Sequence, residues 1–203
     1  MGAMPASAGP SAREPGAVGS GVPARQFALL AAQLLAAGTV TEVLTHVALA
    51  AHRLLAVVDG VSVTVHSGGG FRTPVSLHPA AAELDQVQYD ADAGPCLAAA
   101  RMTGPGLVSV DVDEAGDWPV FARAAARRGY GSVLCAALAP DPGPAMALGA
   151  LNLYFRRPHG PVAADRDVAL LLATHGALAL AHARALSYGV VQHGRLRKAA
   201  LPR

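Results

Sequence analysis

Leu84-Asp85-Gln86-Val87-Gln88-Tyr89, followed by Asp92-Ala93-Gly94-Pro95-Cys96-Leu97, is the stretch whose reading decides the fold of this chain. It marks the point where an open, acidic loop becomes a helix. A proline in the first helical turn has its φ preset and no donor to waste, so Gly94-Pro95 reads as a helix start. Behind it, Cys96, Leu97 and Ala100 fall at the spacing of one buried face.

Upstream, the periodicity predicts a helix from Pro23 to Gly38 with Phe27, Leu30 and Leu34 on one side. Thr39 and Glu42 have the spacing of a capping box and open a second helix. Its apolar positions from Val40 to Val58 recur every three or four residues. Asp59-Gly60 leads into the alternating strand Val61 to Val65, and Gly68-Gly69-Gly70 reverses it into Phe71 to Leu77. Pro74 makes that second strand an edge or a distorted one. His78 to Ala93 reads as a long loop, and Pro95 to Met102 as a short helix.

Downstream, Leu107 to Val112 is a strand, and Pro119 to Arg128 is a helix closed by Gly129. Ser132 to Leu138 is a strand, Asp141 to Pro144 a turn and Met146 to Phe155 a longer strand. The last helix runs from Ala164 to Leu186 or beyond. This order predicts an α/β sandwich: a central antiparallel sheet of five or six strands, helices on both faces, and long terminal helices.

Composition bounds the rest. The chain has 203 residues, 52% of them hydrophobic but only 4% aromatic, so the core is built from small residues. There is no uninterrupted apolar run of about 18 residues, so no membrane span is expected. Residues 1–22 are rich in Gly, Ala, Ser and Pro, lack a leader's apolar centre, and read as a disordered segment. A cytoplasmic protein is the expectation. Two cysteines, Cys96 and Cys135, make neither a disulfide framework nor a zinc pattern. The net charge of +2 hides an acidic stretch from Ala80 to Asp117 and a basic tail, residues 187–203, carrying Arg195, Arg197, Lys198 and Arg203.

Several segments together resemble a known family: Leu84 to Tyr89, Gly94-Pro95-Cys96-Leu97, Trp118-Pro119 with Phe121, Gly149-Ala150-Leu151-Asn152-Leu153-Tyr154, Asp165 and the helix through His175. In this order they resemble a GAF domain, of the actinobacterial type found ahead of ANTAR RNA-binding domains. The resemblance spans Arg25 to Leu186, with residues 23–186 as the sensor domain and 187–203 as a connecting tail. It implies a module that binds a small molecule or dimerises and passes its signal through the terminal helices. In that subfamily the output domain binds nascent RNA and prevents transcription termination. The sequence here stops at the connecting helix, which is expected of a truncated chain or of a sensor acting through a regulatory protein partner. RNA contact through the basic tail is the alternative.

The resemblance places a pocket between the sheet and the crossover helices, walled by Tyr89, Cys96, Trp118, Phe121, Tyr130 and Asn152, its ligand unknown. Trp118 serves equally as a lid with a polar handle or as a core plug. Cys96, in the first turn of a helix, is either a reactive thiol or a small buried hydrophobe. The methionine sulfoxide reductase activity of some relatives requires cooperating cysteines that two residues cannot supply. No catalytic constellation is present, and neither the histidines nor Asp111, Asp113, Glu114 and Asp117 show metal-ligand spacing. His175 and His182 lie seven apart on a stripe with Val168, read as opposite Leu171, Leu178 and Leu186, which is seam spacing. A homodimer is expected, joined through Phe27, Leu30 and Leu34 and through Leu171, His175, Leu178 and His182.

Overall fold

Thr39 starts the second helix as the capping-box spacing requires: the Glu42 N–H donates to Thr39 Oγ1 at 3.2 Å. The Glu42 carboxylate accepts in turn from the Gly38 N–H at 2.8 Å, one residue ahead of the usual partner. In the computed structural model, which describes residues 21–55, 57–140 and 145–199, the elements follow in the expected order with a further α-helix and a 3₁₀ turn (Val112–Glu114) added. They are α1 (Gly21–Ala36), α2 (Val40–Leu54), β1 (Gly60–Ser67), β2 (Gly70–Ser76), α3 (Pro79–Asp90), α4 (Pro95–Ala100), β3 (Leu107–Asp111), α5 (Pro119–Arg127), β4 (Ser132–Ala137), β5 (Gly149–Phe155) and α6 (Ala163–Ala199). The expected disordered start and the turn 141–144 lie outside the described residues, apart from the first turn of α1. The side chains of Leu186 and of the basic tail lie outside them as well.

The five strands form one sheet in the order β2-β1-β5-β4-β3, every pair antiparallel. The strands β4 and β5 are buried along their whole length. Beneath one face, α1, α2 and α6 pack Leu30, Leu44, Val47, Leu172 and Leu180 against Val61, Val63, Leu151 and Leu153. Over the other face, α3, α4 and α5 pack Leu84, Leu97 and Phe121 against Val133, Cys135 and Tyr154. Each such Leu or Phe contributes about 1.5–3 kcal/mol by leaving water. As Pro74 foretells, β2 is an edge strand, and its pairing with β1 breaks register between Val63 and Val65.

The expected loop from His78 to Ala93 is instead mostly the helix α3. His78 caps it, with Nδ1 accepting from the Ala80 N–H at 3.2 Å, and Pro79 fills the first turn. Its buried stripe is Ala81, Leu84, Asp85 and Gln88, half of it polar, so hydrophobic periodicity does not reveal the helix. The last strand is also shorter than expected, beginning at Gly149 rather than Met146.

Within α6, the stretch Ala163–Ala185 is long and apolar enough to cross a bilayer by length and composition alone. Here its Ala169, Leu172, Ala173, Ala177 and Leu180 are buried in the core under the sheet.

Candidate functional site

Alternation along β1 and β5 sends Val61, Val63, Leu151 and Leu153 to one face and Ser62, Thr64, Asn152 and Tyr154 to the other. On an uncovered sheet the second set would meet water. Here α3 and α4 cover it, so these polar groups are buried and must satisfy one another.

They do so around Asp85, which α3 lowers onto the centre of the sheet. Its Oδ1 accepts from the Tyr154 hydroxyl at 2.6 Å and from Asn152 Nδ2 at 3.0 Å, and its Oδ2 accepts from Thr73 Oγ1 at 2.8 Å. The Asn152 amide also reaches Thr64 Oγ1 at 2.9 Å and Ser62 Oγ at 3.3 Å. Tyr89 closes the ring, its hydroxyl 2.8 Å from Thr64 Oγ1 and 2.7 Å from Thr73 Oγ1. Among the described residues no cation pairs with Asp85. Burial therefore pushes its carboxyl up to about 6, held there against the hydrogen bonds from Tyr154, Ser62, Thr73 and Asn152 that favour the charged form. Asn152 Oδ1 is buried without a partner.

Gln88, one helical turn beyond Asp85, ties this network to α4. Its Oε1 accepts the Cys96 N–H at 2.9 Å, capping the helix that Pro95 opens. Nε2 lies 3.3 Å from the Tyr154 hydroxyl. Gly94 permits this approach, since a Cβ there would fall 2.3 Å from Gln88 Oε1.

Of the six expected wall residues, Tyr89, Cys96 and Asn152 gather at this network. Phe121 and Tyr130 are buried in the apolar cluster around it, Tyr130 with its ring 5.5 Å from that of Tyr154 and its hydroxyl unpaired. Trp118 is half-buried on a different wall, in an open groove beside β3. Both cysteines are buried and free, and burial pushes each thiol well up, next by the charge of Asp85. These thiols are held protonated, the opposite of a nucleophile's environment. The residues that the sequence reading leaves out, Asp85, Gln88, Thr64 and Tyr154, carry one legible signal: polar positions alternating on strands under a helix with polar residues three apart.

Of the acidic residues near β3, Asp111 is engaged with a neighbour, while Asp113, Glu114 and Asp117 are exposed. Asp111 takes the His159 backbone N–H at 2.6 Å and pairs with its ring. Among the described residues no group of three His, Cys, Asp or Glu side chains is placed to hold a metal ion.

The terminal helices divide the expected dimer residues. Leu30 is 2% exposed and Leu34 7%, so that face of α1 serves this domain's own core. Leu171, His175, Leu178 and His182 are all exposed along α6, on one stripe rather than on opposite sides. Ala31, Leu34 and Leu35 of α1 face His175, Leu178, Ala179 and His182 across an apolar groove of about 280 Å³.

No family model and no curated relative matches the sequence. Solved structures do match. A domain of a putative two-component sensor histidine kinase from Sinorhizobium meliloti is 18% identical with a TM-score of 0.57, covering 74% of this chain and 96% of that one. The GAF domain of the cyanobacteriochrome TePixJ is 18% identical with a TM-score of 0.59, covering 75% and 95%. A GAF domain from an Acinetobacter phosphoenolpyruvate-protein phosphotransferase is 14% identical with a TM-score of 0.58, covering 82% and 96%. With its five-stranded antiparallel sheet between two layers of helices, the chain has the fold of the GAF domains.

Proposed function

We propose that this protein is a non-enzymatic sensory domain of a cytoplasmic signalling pathway, responding to a small molecule that engages Asp85. The observation that carries this reading is a fully buried carboxylate, ringed by hydroxyl and amide groups, with no cation paired to it among the described residues. Such a group is costly to keep unless something compensates it, and a ligand that brings an N–H donor or a positive charge is the natural complement. Solved structures sharing this fold come from a protein described as a putative two-component sensor histidine kinase, a cyanobacteriochrome and a methyl-accepting chemotaxis protein, which supports signalling as the role. The motif resemblance to domains that precede ANTAR modules supports control of transcription as the output.

The expected test is thermal unfolding in the presence of a panel of amines, amidines and heteroaromatic N–H donors. A member of the panel should raise the midpoint of the wild type and leave Asp85→Asn unmoved. A panel that shifts neither protein, or both equally, overturns the assignment of Asp85.

Signal output in this reading runs through a homodimer. Exposed Leu35 (86%) and Leu178 (53%) border the apolar groove between α1 and α6, and a second copy would cover both. Light scattering after size exclusion should give a dimer at micromolar concentration, and Leu178→Glu a monomer of unchanged thermal midpoint. A monomeric wild type overturns the dimer.

A further inference from the structure

The two edges of the sheet are not alike. At one edge, β2 carries Pro74 and an irregular register with β1, both of which blunt a strand against further pairing. At the other, β3 keeps unbroken register with β4 from Leu107↔Ala136 to Asp111↔Ser132 and contains no proline. The Ala137 N–H bonds to the Gly106 carbonyl, and the Val112 N–H to the Gly131 carbonyl. In an antiparallel pair the bonded positions alternate, so Val108 and Val110 also bond inward. Leu107, Ser109 and Asp111 then turn their backbone N–H and C=O groups outward, and among the described residues nothing pairs with them.

That open ladder borders a groove of about 590 Å³ with a chemically divided lining. On the side of Val108 and Val110 stands the half-buried Trp118 ring, flanked by the exposed carboxylates of Glu114 and Asp117. On the other side Arg166 reaches Ser109 Oγ at 3.3 Å. A second copy of β3 would set these acids against their own kind. A strand with Arg or Lys at alternate positions fits: its aliphatic stems lie over Trp118, its cationic heads meet Glu114 and Asp117, and its intervening small polar residues face Arg166.

We infer that β3 is a docking edge for an extended basic segment of a partner protein, which adds to the sheet as a sixth, antiparallel strand. Residues opposite Ser109 exchange backbone hydrogen bonds with it, and the basic residues between them supply the selectivity.

Trp118 is the only tryptophan in the chain and reports directly on the groove. The probe is the peptide acetyl-Thr-Arg-Thr-Arg-Thr-Arg-Thr-amide, titrated into the whole protein at physiological salt. The expected result is a saturable change in Trp118 fluorescence. Affinity should fall at least tenfold with the same peptide N-methylated at its threonine amides, which keeps the charge and removes the ladder donors. It should also fall at least tenfold in Glu114→Lys/Asp117→Lys, whose circular dichroism checks the fold. Equal binding of the parent and N-methylated peptides would mean charge attraction alone and overturns the inference. So does the absence of saturation up to millimolar peptide. Self-association that Ser109→Pro abolishes would make a second copy the occupant and overturns it too.

Discussion

Gly149→Ala is expected to cost at least about 3 kcal/mol of stability, at the upper end of the penalties for overpacking a core. Gly149 opens β5 opposite Val65 in the middle of the sheet. A Cβ built there falls 1.9 Å from the Thr64 carbonyl oxygen and 2.9 Å from Val65 Cα. Both are backbone atoms, so no rotamer change relieves the contact. The strands β1 and β5 would have to part, and with them the ladder that holds Asn152 and Tyr154 over Asp85. Gly70→Ala is the control: a Cβ there meets nothing within 4 Å, and the change should stay within about 0.5 kcal/mol. Urea midpoints of the two variants against the wild type give the comparison. A Gly149→Ala protein as stable as the wild type would mean that β1 and β5 do not approach as described.

Asp85 sets the second large effect, and its direction is unusual for an acid. Burial raises its carboxyl from 3.8 to about 6, so the folded state holds this proton more tightly than the unfolded chain does. The stabilisation this provides is complete below pH 4 and is lost as the pH rises through about 6. The full span corresponds to about 3 kcal/mol. Asp85→Asn cannot ionise, so the stability difference between variant and wild type should shift by most of that amount in the variant's favour between pH 4 and pH 7.5. Urea unfolding at the two pH values decides the matter: an unchanged difference would mean that Asp85 is solvated.

The order of elements and their arrangement in layers were legible because most of this chain follows simple periodicities. Thr39, Gly94-Pro95 and Gly129 mark helix ends by local chemistry, and Pro74 marks the edge strand. What could not be read was the burial of polar groups. A stripe of Ala81, Leu84, Asp85 and Gln88 does not look apolar, so α3 was hidden, and the alternation of Ser62 and Thr64 with valines left open what covers them. That ambiguity is inherent, since alternation says that a strand has two faces but not what covers the polar one. The residues expected to wall a pocket were scattered for the same reason. Asn152 lies on the sheet beneath the crossover helices and Cys96 and Phe121 on those helices, while Trp118, whose position in the chain says nothing of the groove it lines, belongs elsewhere. On α6 the seven-residue spacing put His175 and His182 on one exposed stripe but did not show that Leu171 and Leu178 share it, nor which stripe of α1 this domain uses for itself.

One dimension of the fold carries a mechanical consequence. The final helix is continuous over 37 residues, about 55 Å of stiff rod, with its first half seated beneath a sheet whose longest strands span less than half that length. Where it crosses α2, Gly176 lies so close to Val47 that even a methyl group would collide. A rod pinned at such a fulcrum turns small displacements near its base into larger sweeps at its tip, so this geometry amplifies motion without any hinge.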